Sequence, residues 1–230
     1  MALPKIKHPT YAVTIPSTKQ QVTIRPFTVQ EEKLLLMAKA SDKTEDIIAC
    51  MYQIVKNCVI ESIDVDKLAT FDIEYIFVKL RAKSISEVVD LEYTDEDVGK
   101  VSFQVNLDDV EIKFNSEHTN KVKVYDDIYF KMRYPSLEDI KYINGELTSD
   151  NITEILYKCI DQIYDNDEVY TEYTKEELDS FIDNLPIDSI SSITKFFDTM
   201  PVLEHIVILK NKDGDTKEVV LRGINNFFIF

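Results

Sequence analysis

The sequence predicts an α+β protein: helical N- and C-terminal parts, a β-hairpin near each end and a central antiparallel β-meander. Three observations carry this prediction. Apolar residues recur with a helical period over 28–83 and again over 151–199. Between those stretches the period drops to two, from Val89 to Tyr134. Two further alternating pairs, each wrapped around a polar turn, lie close to the ends of the chain.

The first element is the hairpin "YAVTIPSTKQQVTIRPF". Val13 and Ile15 alternate with polar residues, "PSTKQ" turns, and Val22 and Ile24 alternate again. "TVQEEKLLLMAKA" then begins a helix, with Thr28 as N-cap and Glu31 completing a capping box. Residues 34–38 are apolar almost all round, which predicts a helix buried on more than one side. A second helix spans about 44–60, with Ile47, Met51, Ile54 and Cys58 in one stripe. A third spans about 71–83, capped by Thr70, with Ile73, Ile76, Phe77 and Leu80 facing the core.

Five alternating runs follow: 89–93, 101–107, 110–114, 122–124 and 128–134. They read as one meander with a wet face, spanning about 86–134. Ser136 caps a short helix. Asn151 starts another, with Ile152, Ile155, Leu156, Cys159, Ile160 and Ile163 on one face. Helices near 174–184 and 187–199 are divided by Pro186, and "HIVILKNKDGDTKEVVLRG" is the closing hairpin. This order divides the chain into 1–85, a sheet lobe at 86–134, and 135–230, the last able to pack with the first as one domain. No internal repeat, low-complexity tract or long linker appears.

Composition excludes several classes. The four glycines, Gly99, Gly145, Gly214 and Gly223, are too far apart for a phosphate-cradling loop. A net charge of −16 with no basic run argues against nucleic acid as a partner. The densest acidic stretch, 161–183, carries Lys175 as its lone cation; it is either a solvated face or a docking face for a basic partner. Three widely spaced cysteines, Cys50, Cys58 and Cys159, sit in apolar stripes and read as reduced core residues. "MALPKIKHPTYAV" lacks the apolar core of a signal peptide, and no membrane span is expected.

Chemistry is sparse. His8, His118 and His205 have no nucleophile beside them in sequence, and no HExxH, GxSxG or CxxC occurs. "KDGD" suggests a calcium loop, yet an EF-hand glycine at Gly214 would place ligands at Leu209 and Val220, which cannot coordinate. Alternating flanks make it a hairpin turn, with Gly214 free to adopt positive φ. No catalytic residue, cofactor or metal is expected.

Three stretches together carry a resemblance: "VTIRPFTVQEEKLLLMAK" at 22–39, "FFDTMPVLEHIVIL" at 196–209 and "LRGINNFF" at 221–228. They resemble the baseplate hub subunit and assembly family of T4-like contractile-tailed bacteriophages, most strongly over 20–60 and 196–228. No catalytic signature is part of the match. The resemblance implies a non-catalytic protein, either a structural subunit or a chaperone-like assembly factor of the tail baseplate hub. Its partners would be other phage baseplate hub proteins, with self-association as a second kind of contact. Its locations would be the host cytoplasm during assembly and the virion tail baseplate. Candidate partner-binding residues are Arg25 and Phe27 after the first hairpin, and Phe227, Phe228 and Phe230 at the C-terminus. The alternative for the C-terminal aromatics is burial in the protein's own core. Two other readings compete with the hub role. One is an acidic protein-binding adaptor unrelated to virion assembly, acting through 161–183. The other is an enzyme with a site assembled from distant carboxylates.

Overall fold

The computed structural model describes residues 4–41, 43–96, 98–140, 149–210 and 214–227. Among them, helices alternate with small sheets whose strands all pair antiparallel, so the architecture is α+β. The chain forms two compact units, Met1–Lys113 with Val202–Phe230, and Phe114–Pro201.

The first unit begins with the hairpin β1 (Tyr11–Thr14) and β2 (Gln21–Ile24). Its turn is closed by the Ile15 N–H on the Gln20 carbonyl, with Lys19 at φ 60°. Helices α1 (Val29–Ser41), α2 (Thr44–Cys58) and α3 (Thr70–Ser84) follow. The cap of α3 is Ala69, and Thr70 is its first helical residue rather than its cap. Ile15, Ile24, Ile54, Ile73, Ile76, Phe77 and Leu80 are fully buried between hairpin and helices.

The strands expected between 86 and 134 are present and antiparallel, but they do not share one sheet. β3 (Val88–Asp95) and β4 (Gly99–Asn106) form a two-stranded ribbon. β5 (Glu111–Lys113) instead pairs with a strand from the far end of the chain. That strand is β10 (Val202–Lys210), which also pairs with β11 (Thr216–Arg222). The closing hairpin is as expected, with Gly214 at φ 92° in its turn. β6 (Lys121–Tyr125) and β7 (Ile128–Met132) belong to the second unit. Local alternation specifies a strand, not its neighbour. Here Lys79 makes part of the choice. Its buried ammonium donates to the carbonyls of Leu107 (3.1 Å), Asp108 (2.8 Å) and Val110 (3.0 Å), which holds the β4–β5 connection against α3.

In the second unit, α4 (Leu137–Ile140) and α5 (Ser149–Cys159) follow β7. The helical face read through Ile160 and Ile163 ends early. At Ile160 the chain becomes β8 (Ile160–Tyr164), pairing with β7, and then β9 (Val169–Tyr170). The pairing shifts register, Met132 opposing Ile160 and Lys131 opposing Gln162. This bulge places two isoleucines three residues apart on the same buried face, so a strand imitates a helical period. α6 (Lys175–Asp183) has a complete capping box between Thr174 and Glu177. α7 (Ile187–Asp198) starts after Pro186. Phe130, Cys159, Ile163, Leu178, Ile193 and Phe196 form this unit's core.

Each unit contains the same construction. In the first, Arg25 follows the β1–β2 hairpin and Thr28 and Glu31 stand at the start of α1. In the second, Arg133 follows the β6–β7 hairpin and Ser136 and Asp139 stand at the start of α4. Both spacings are Arg-x-x-Ser/Thr-x-x-acid. The Arg25 N–H donates to the Cys58 carbonyl at 2.9 Å, and the Arg133 N–H to the Cys159 carbonyl at 2.8 Å. In each unit a later helix also returns to the hairpin through its first turn. Asp72 of α3 accepts from the Ser17 N–H (2.9 Å) and hydroxyl, and the Ser189 hydroxyl of α7 donates to the Val124 carbonyl.

Candidate interaction surface

The expected site residues are distributed unequally. Arg25 is committed to internal structure: its guanidinium grips Glu31 with Nη2–Oε1 at 3.0 Å and Nη1–Oε2 at 3.2 Å. Glu31 is completely buried and also accepts the Thr28 N–H at 2.8 Å, the carboxylate half of the expected capping box. Burial opposes ionisation of Glu31, but Arg25 and the Thr28 hydroxyl and N–H outweigh it and hold the carboxyl at about 2.

Phe27 and Phe227 line one open groove in the first unit, about 430 Å³ in volume, with Leu35, Leu36, Phe77 and Ile85. Phe27 is half-buried, its ring 5.9 Å from that of Phe77, and its N–H donates to the Ser84 hydroxyl at 2.8 Å. Phe227 is only 1% exposed, so its ring forms the floor rather than a protruding contact. It is placed by the turn Ile224–Asn226, which Gly223 enters at φ 70°. Glu32, Arg81 and Asp90 add charge to the lining. Phe228 and Phe230 lie outside the described residues.

The residues that sequence reasoning missed stand beside this groove. α1 buries only Glu31 and Ala38, contrary to the expectation that its apolar run is covered on more than one side. Leu36 is 59% and Met37 69% exposed. α2 packs along one side of the helix, and the apolar residues on the other side face outward. The composition of "LLLMA" marks an apolar surface, but only packing shows which part stays uncovered. The β10–β11 hairpin adds a second exposed apolar strip, with Ile206 directly opposite Val220 and Ile208 next along the strand.

This arrangement suits contact with another macromolecule. Groups able to hold a metal ion do not cluster among the described residues. His118 is held in the second unit by Tyr134 and Phe196, with its Nδ1 2.9 Å from the Thr199 hydroxyl, and burial lowers its pKa. No described helix is long and apolar enough to cross a membrane.

One family model, described as T4 bacteriophage base plate protein, matches residues 8–229. Neither the curated proteins nor the solved structures give a significant match.

Proposed function

The chain belongs to the T4 bacteriophage base plate protein family, and on that premise we propose that it is a non-catalytic structural or assembly component of the baseplate hub. It acts through protein–protein contacts, in the host cytoplasm during assembly and in the tail baseplate. The family's structural role supports association with other baseplate proteins. The observation that carries the finer reading is the exposed Leu36 and Met37 beside a groove lined by Phe27 and Phe227. Exposed apolar groups of this kind gain about 1.5–3 kcal/mol each when a partner covers them. The groove floor is already built, so little ordering cost accompanies binding.

Co-expression with the hub proteins of the same phage, followed by affinity capture, tests this reading. The wild type is expected to retain a hub protein, and the double variant Leu36→Asp/Met37→Asp to lose it without unfolding, because both side chains are already in water. Capture of no hub protein, or capture that the double variant leaves intact, counts against the proposed surface.

A further inference from the structure

The second unit holds an apolar pocket that the proposed function does not use. It is about 280 Å³, the scale of one bulky side chain rather than of a cofactor. Its walls are Ile128 of β7, Ile163 of β8, Tyr170 of β9, Tyr173, and Leu178 and Phe181 of α6. Two fixed carboxylates are part of the lining. Asp165 accepts the Tyr170 hydroxyl at 2.9 Å and the N–H groups of Asp167 and Glu168 at 2.8 Å, which fixes the Tyr170 wall. Glu177 accepts the Thr174 N–H at 2.8 Å and fixes the start of α6. The pocket is therefore preformed.

Its surroundings are predominantly acidic. Asp167, Glu168, Glu172 and Glu176 are exposed on the same segment, where Lys175 is the lone cation. Lys158 and Lys175 line an adjoining hollow that shares the Tyr173 and Leu178 walls, and the lysines of β6 lie away from the pocket. Lys121 and Lys123 lie over the Tyr129 ring at 4.4 and 5.9 Å, and Tyr129 alternates with Phe130, so they occupy the opposite sheet face. β9 is the last strand of its sheet among the described residues, and Val169 on it is exposed. An extended chain can be added along such an edge.

We propose that this pocket receives one phenylalanine- or leucine-sized side chain from an extended, lysine- or arginine-flanked segment of another baseplate protein, laid along β9. The apolar side chain fills the pocket, and the flanking cations meet a rim on which exposed carboxylates outnumber lysines. The proposal rests on the family reading only for the source of the segment. Its chemistry comes from the pocket, so the peptide test below stands even if hub capture through α1 fails.

The test uses the full chain and a fluorescein-labelled peptide, Lys-Arg-Phe-Arg-Lys, with an alanine-centred analogue and a glutamate-flanked analogue. The phenylalanine peptide is expected to bind saturably below about 100 μM. It should bind about tenfold more tightly than the alanine analogue, and weaken as salt rises from about 50 to about 500 mM. Ile128→Trp, which fills the pocket, and Glu172→Lys/Glu176→Lys, which reverses its rim, should each reduce binding. Equal binding of the phenylalanine and alanine peptides by the wild type would reduce the site to an unspecific acidic surface and overturn the proposal. So would binding unchanged in a folded Ile128→Trp variant, or no binding at all. Self-association of the wild type that Ile128→Trp abolishes would assign the pocket to a second copy and overturn the stated occupant.

Discussion

The Arg133 backbone N–H donates to the Cys159 carbonyl just as the Arg25 N–H donates to the Cys58 carbonyl, at 2.8 and 2.9 Å. Each bond ties the strand leaving a hairpin to the end of a helix. In each case the same arginine extends its guanidinium to an acid six residues on. Arg133 reaches Asp139 at 2.6 and 2.7 Å, and Asp139 also accepts the Ser136 N–H at 2.7 Å. The two carboxylates are therefore equivalent staples in separate units, and their removal should be felt separately.

Glu31→Gln is expected to destabilise the first unit by about 2–4 kcal/mol, because it leaves a mostly buried guanidinium facing a neutral amide. Asp139→Asn should cost the second unit less, about 1–2 kcal/mol, because Arg133 is 42% exposed and water screens it. Urea unfolding of each variant, followed by circular dichroism, reads both. Losses below about 0.5 kcal/mol in both would deny these ion pairs a structural role.

Glu31 also sets an acid limit. Its pKa falls from 4.5 in the unfolded chain to about 2 in the fold. Above pH 4.5 both states are ionised and the contribution, about 3 kcal/mol, is fully present. It declines as pH falls towards 2, because the unfolded state takes up the proton first. In Glu31→Gln, the loss of stability between pH 4.5 and 2 should be shallower by about that amount.

Glu74 acts with the opposite sign. Burial pushes its carboxyl up to about 7, against the Ile224 N–H that it accepts. The folded state then holds a proton that the unfolded state releases, so stability falls as pH rises from 4.5 to 7 and levels off above. Glu74→Gln keeps an acceptor for the Ile224 N–H and removes the charge. It should be more stable than the wild type at pH 8 and lose this slope. A variant no more stable at pH 8 than at pH 4.5, relative to the wild type, would show that Glu74 ionises freely in the fold.

The cysteines should be unreactive. Cys50, Cys58 and Cys159 are free and buried, and burial pushes their thiols up to about 11, 12 and 12. Ellman's reagent at pH 8 is expected to label none of them in the folded protein and all three in guanidinium. Rapid labelling of the native protein would contradict this packing.

The features legible in the sequence are those decided within a few residues. The β1–β2 hairpin follows from alternation around "PSTKQ", and the carboxylate half of the box at Thr28 and Glu31 from the needs of a helix N-terminus. The turn at Gly214 follows from alternating flanks. What remained hidden depends on partners distant in sequence. β5 pairs with β10, far along the chain, by the register Val202↔Lys113, Leu203↔Ile112 and Glu204↔Glu111. Alternation is satisfied by any edge of the right length, so it cannot name that partner. Ile160 and Ile163 mimic a helix because a bulge, formed only against β7, returns both to the core. Leu36 and Met37 look like core residues in "LLLMA", and only the packing of the described residues shows that side of α1 facing outward. The sequence by itself determined the α+β class, the two terminal hairpins and the carboxylate cap at Glu31, because these are short-range steric and hydrogen-bonding requirements. Tertiary structure alone decided which apolar groups are covered, because burial depends on what the rest of the chain brings to each surface.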